Sequence, residues 1–98
     1  MTFDLKSEQS GIRLSGELSR QGAMEALFKL ETKLLPNQTK FILNLSDLVA
    51  CDSAGVSVIL CFGRMIQKRG GQLLISHPPL FFMDLVRVSG LDSVLTWA

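Results

Sequence analysis

Asp52 and Ser53, followed by the small residues Ala54 and Gly55, are where this chain places side chains that could do chemistry. They come after the apolar run Phe41-Ile42-Leu43-Asn44-Leu45 and before a second one, Val58-Ile59-Leu60-Cys61-Phe62. A buried strand that ends in a short loop, with a helix opening at the serine, sets a hydroxyl among free backbone N–H groups. Such groups favour an anion or a partner's acceptor. Three uses of Ser53 fit that place. As an N-cap it would contribute about 1 kcal/mol to the helix. As a phosphoacceptor it would gain roughly two negative charges, tolerated at a helix N-terminus but repelling an acidic surface opposite Asp52. As a contact residue, flanked by Ala54 and Gly55, it would leave the loop low enough for a partner to approach its backbone. Asp52 caps the same helix through charge–dipole contact. Metal binding is not expected there, because Asp47, the nearest carboxylate, would have to fold back.

Catalysis is not expected either. Ser53 with His77 would make a nucleophile and base, but the Gly-x-Ser-x-Gly elbow is missing and Cys51 stands in its place. Pro78 crowds His77 on its C-terminal side, no glycine-rich phosphate loop occurs, and Gly70-Gly71 reads as a helix stop. Cys51 and Cys61, with nine residues between them and His77 the sole histidine, read as buried free thiols rather than zinc ligands. No cofactor is implied.

These residues need elements to hold them. A chain of 98 residues makes one domain, burying roughly 60–65% of its unfolded surface. Ten basic against nine acidic residues argue against a nucleic-acid binder held by phosphates. The cluster Arg64, Lys68 and Arg69 reads as complementing a helix dipole. The apolar run near 54–62 falls short of the roughly 20 residues a bilayer span needs, and Met1 opens no secretion signal. The expectation is a cytoplasmic protein with no direct membrane insertion, free to work at a membrane beside an anchored partner.

Phe3 and Leu5, then Ile12 and Leu14, alternate as a hairpin around Ser7–Gly11. Ser19 is expected to cap a first helix with Ala23, Leu27, Leu30 and Leu34 inward, weakened by Gly22 and stopped by Pro36-Asn37-Gln38. Residues 40–45 form a strand expected to be covered on both faces. After Ser53, β-branched Val56, Val58 and Ile59 favour a strand. The capping side chains, the length of the apolar pattern and the Arg64–Gly71 stop signal predict a helix. Leu73-Leu74-Ile75 is the fourth strand, a third helix runs from about 79 to 89, and Val94, Leu95 and Trp97 form a short terminal segment. The order β-β-α-β-α-β-α gives an α/β fold with a mixed four-stranded sheet and about three helices in a single domain, 1–98. Eight of the twelve residues from Leu80 to Leu91 are apolar, more than one buried stripe requires. The surplus, placed at Phe81 and Met83, is open to a partner or to a second copy of the chain, as a homodimer.

Leu14-Ser15-Gly16-Glu17-Leu18, Leu43-Asn44-Leu45, Asp52-Ser53-Ala54-Gly55, Gly70-Gly71 and Val88-Ser89-Gly90-Leu91, in this order, resemble the STAS domain family nearly throughout. That fold is shared by anti-sigma-factor antagonists and the cytoplasmic tails of sulfate transporters. The resemblance implies a non-catalytic module whose docking surface includes Asp52, Ser53, Ala54, Gly55 and Ser57, with Phe81 as a further candidate contact. Two branches compete. In antagonists the serine at the position of Ser53 is phosphorylated by an anti-sigma kinase. In the other branch a small STAS protein docks on the cytoplasmic ATPase subunit of the ABC transporter that maintains lipid asymmetry in Gram-negative outer membranes. Ser19 stands where antagonists usually carry aspartate, and the chain stops at Ala98 where they often continue. The compact length, the Leu18-to-Phe28 stretch and Pro79 look closer to the transporter subunit.

Overall fold

The computed structural model describes residues 3–35 and 38–98. Strands β1 (Phe3–Glu8) and β2 (Gly11–Leu18) lead through a short 3-10 turn (Arg20–Gly22) into helix α1 (Ala23–Thr32). Then follow β3 (Lys40–Asn44), β4 (Leu48–Cys51), α2 (Ser53–Lys68), β5 (Gln72–Ser76) and α3 (Leu80–Val88).

Among the described residues the sheet is mixed and has five strands, not four. β1 is antiparallel to β2, and β3 lies between β2 and β5, parallel to both. β4 is the additional strand. It runs parallel to β2 beyond the end of β3, so Gly11–Arg13 face β3 while Gly16–Leu18 face β4. Asn44 makes the break between the two. Its Oδ1 accepts the Ser46 N–H at 2.9 Å, and a turn follows in which Leu48 N–H donates to Leu45 O at 3.1 Å. An asparagine side chain closing onto the backbone two residues on is a turn former. The chain then resumes pairing, and four residues suffice to carry it to Asp52.

Ile12 and Leu14 of β2, Phe41 and Leu43 of β3, and Leu73 and Ile75 of β5 are buried on one face. Of their alternates, Arg13, Ile42 and Leu74 are half-buried and Asn44 is buried, so the expectation of cover on both faces holds only in part on the second face. The strand reads as nearly all apolar because Ile42 is half-covered there. Phe41 meets Phe62 of α2 edge-on, with ring centroids 5.1 Å apart.

Helix α2 settles the conflict between β-branched propensity and capping in favour of the helix: Val56, Val58, Ile59, Phe62 and Ile66 bury one face over sixteen residues. Burial outweighs the few tenths of a kcal/mol per residue that β-branching disfavours, about 0.7 at most. α2 and α3 end alike. Gly70 and Gly90 take positive φ of 81° and 71°, with Gly71 N–H donating to Ile66 O at 3.0 Å and Leu91 N–H to Val86 O at 2.8 Å. These are the closing bonds of a Schellman motif, which glycine adopts without strain.

Two expected boundaries shift. Ser19 heads the 3-10 turn with no side-chain cap bond, and α1 starts later, at Ala23, with Gly22 in the N-cap place. The helix ends at Thr32, ahead of Leu34 and of the expected stop, in which Pro36 and Asn37 lie outside the described residues. On α3, Phe82 and Val86 are buried one turn apart. The exposed apolar surplus falls mainly at the helix ends, on Leu80 (73%) and Val88 (87%), with Phe81 at 39%. Met83 is half-buried. The terminal segment lies beside β5, where Ile75 N–H donates to Thr96 O at 2.9 Å and Ala98 N–H to Ile75 O at 2.8 Å.

Candidate functional site

Pairing of β4 with β2 brings Asp52 to the end of β2, where its N–H donates to Leu18 O at 3.3 Å. Asp52 then leaves the strand in an extended conformation and caps α2, its Oδ1 accepting the Gly55 N–H at 2.9 Å. Its Oδ2 accepts the Arg20 N–H at 3.0 Å. The Arg20 N–H, and next the Gly55 N–H, hold this carboxyl below its ordinary value of 3.8, because both bonds favour the ionised form.

Asp52, not Ser53, is therefore the N-cap. Ser53 is already the first helical residue, and its hydroxyl makes no hydrogen bond among the described residues. The side chain is exposed. Ser57, one turn on and also exposed, donates its hydroxyl to Ser53 O at 3.1 Å. Asp52, Ser53 and Ser57 thus face solvent together. Ala54 is half-buried. Gly55 is buried, and a Cβ there would fall 2.4 Å from Leu18 O and 2.7 Å from Cys51 Sγ. Its part in the fold is to let α2 start against β2.

A shallow, open concavity joins this helix start to the β2–α1 turn, lined by Ser19, Arg20, Gln21, Asp52, Ser53 and Ala54. Phe81 does not line it. Arg20 and Gln21 are the residues that sequence reasoning missed. Nothing local marks them, because the bond that brings them in spans 32 positions.

Burial pushes the half-buried Cys51 thiol up to about 12, with the Asp52 charge adding to the effect. Cys61 is likewise free and half-buried. His77, exposed on the loop after β5 with φ 52°, shares no hydrogen bond with Ser53 and does not line the concavity. Among the described residues no group of three or more His, Cys, Asp or Glu is placed to hold a metal ion. No helix among them is long and apolar enough to cross a membrane.

Several solved structures share this architecture. The anti-sigma factor antagonist SpoIIAA in its unphosphorylated form is 26% identical, with a TM-score of 0.74 over 98% of this chain and 87% of that one. An anti-sigma factor antagonist from Mycobacterium paratuberculosis is 14% identical, with a TM-score of 0.78 over 98% and 83% of the two chains. A sulfate transporter family protein from Wolinella succinogenes is 19% identical, with a TM-score of 0.71 over 87% and 72%. The last two likenesses are of fold alone. A family match extends over residues 1–96, and the chain belongs to the STAS_2 family, described as Mlab, STAS domain.

Proposed function

We propose that this chain is a non-catalytic docking module that lays the start of α2 against a nucleotide-hydrolysing partner, the ATPase subunit of a phospholipid-transport ABC transporter. The observation that carries this reading is the exposed, unbonded hydroxyl of Ser53 on a helix start held firmly by Asp52. A side chain with no role inside the fold, on a rigid platform, is free to be read from outside. The residue at position 19 and a family description that names Mlab rather than an antagonist favour the transporter branch. In that role the module sits at the cytoplasmic face of the inner membrane through its partner, binds no nucleic acid and does not itself insert into the membrane.

A second reading has its own support in the 26% identity to SpoIIAA. There the module is an anti-sigma-factor antagonist, and an anti-sigma kinase phosphorylates Ser53. The charge would then switch docking without refolding the domain.

Affinity purification from the native source with this chain as bait, followed by mass spectrometry, separates the two. Recovery of an ABC ATPase with its permease supports the first, and a small histidine-kinase-like ATPase supports the second. In either case Ser53→Asp weakens capture while the melting temperature stays nearly unchanged. Capture of the ATPase by Ser53→Asp with undiminished affinity overturns the docking reading.

A further inference from the structure

The Arg20 turn and the start of α2 are far apart in sequence, and one carboxylate joins them. The bond from Gly55 N–H to Asp52 is an ordinary N-cap, which serine or asparagine would supply about as well. The bond from Arg20 N–H is additional, and it needs the second oxygen that only a carboxylate offers as an acceptor. The other hydrogen bonds of the turn are local: Arg20 and Gln21 are exposed, Ser19 makes no cap bond, and Gly22 N–H donates to Ser19 O at 3.1 Å while Ala23 N–H donates to Arg20 O. With both Asp52 oxygens occupied by amides, the Arg20 guanidinium makes no close ion pair among the described residues and acts on Asp52 only as a weaker, more distant charge. It lines the same concavity as Ser53.

We infer that Asp52 is a positioning residue: it braces the Arg20 turn against α2 so that Ser53 and Arg20 are presented together, to a partner protein that sets an acidic side chain opposite Arg20. This rests on the docking role proposed above. It adds a second contact and its charge preference.

Two measurements test it. In Asp52→Asn the side-chain oxygen still caps Gly55, while the amide group facing Arg20 N–H can only donate. Hydrogen exchange followed by NMR on the chain alone should show the Arg20 amide exchanging about tenfold faster, the size expected for losing a bond to a charged acceptor. The melting temperature should stay close to wild type. Should that variant fail to fold, Asp52→Ser keeps an N-cap hydroxyl and serves in its place. Titration against the purified ATPase recovered above should show Arg20→Glu binding at least about tenfold more weakly. Arg20→Lys should retain most of the affinity, and Arg20→Ala should lose part of the salt dependence. Unchanged exchange at Arg20 in Asp52→Asn, or unchanged affinity in Arg20→Glu, overturns the inference. If Ser53→Asp also binds as tightly as wild type, the docking reading itself has failed; if only Arg20→Glu does, the failure is confined to Arg20.

Discussion

A Cβ on Gly55 would fall 2.4 Å from the carbonyl oxygen of Leu18, so helix α2 begins in direct contact with the end of strand β2. Two effects oppose each other in Gly55→Ala. Helix propensity favours alanine by about 1 kcal/mol, while forcing a methyl into a packed site costs about 1–3 kcal/mol. The nearer obstacle is backbone, which cannot rotate away as the Cys51 side chain can. The clash therefore wins. Gly55→Ala should lower stability by up to about 2 kcal/mol in urea unfolding, and a stabilised variant would show that the two elements do not meet this closely.

Capping by Asp52 with a free Ser53 hydroxyl predicts unequal alanine substitutions. Asp52→Ala removes the acceptor of two backbone amides and should cost about 1–2 kcal/mol. Ser53→Ala removes a hydroxyl with no partner inside the fold and should stay within about 0.5 kcal/mol. Urea midpoints of the two variants check this, and the reverse order would return the cap to Ser53.

Much of this architecture is legible in local sequence. The helix after Ser53 is announced by its cap and by Gly70, although Val56, Val58 and Ile59 alone would suggest a strand. β4 is not legible, because four residues between two turns carry too little pattern and its pairing with Gly16–Leu18 is a tertiary fact. The site divides in the same way. Asp52 and Ser53 stand out by chemistry, and the N-cap shifts from one to the other by a single residue of register. Arg20 is hidden, because its place is decided by a hydrogen bond across the fold. On α1, periodicity marks Ala23, Leu27, Leu30 and Leu34 as inward, whereas the residues buried there are Ala26 and Leu30, and Met24 and Phe28 are 79% and 68% exposed.

Two phenylalanines should behave in opposite ways. Phe62 is fully buried against Phe41, so Phe62→Ala should cost about 3–5 kcal/mol. Phe81 is 39% exposed at the first turn of α3, and Phe81→Ser should cost about 1 kcal/mol. Chemical denaturation of both variants tests the assignment. A loss above about 3 kcal/mol for Phe81→Ser would place that ring in the core and remove it from the candidate contacts.

With its thiol pushed up to about 12, Cys51 is almost wholly protonated under ordinary conditions. At pH 8 about one such thiol in ten thousand is ionised, against about one in four for an ordinary cysteine. Iodoacetamide at that pH should therefore modify Cys51 far more slowly than a free thiol, read by peptide mass spectrometry of the native protein. Labelling at the rate of the urea-unfolded chain would mean that the strand end does not shield the sulfur.

The Asp52 carboxyl, held below its ordinary 3.8 mainly by the Arg20 N–H, has a stated direction of pH dependence. A carboxyl whose value is lower in the folded state contributes stability that is complete above its unfolded value and is lost as pH falls through the folded one. The tie between the Arg20 turn and α2 should therefore hold unchanged from about pH 5 to 8 and loosen only in more acidic solution. Protonation leaves one oxygen as a hydroxyl donor, and the two amides then compete for what remains. Following the Arg20 amide chemical shift against pH measures this directly. The midpoint should lie below 3.8, and a midpoint at or above that value would mean that the Arg20 and Gly55 amides do not hold this carboxylate in solution.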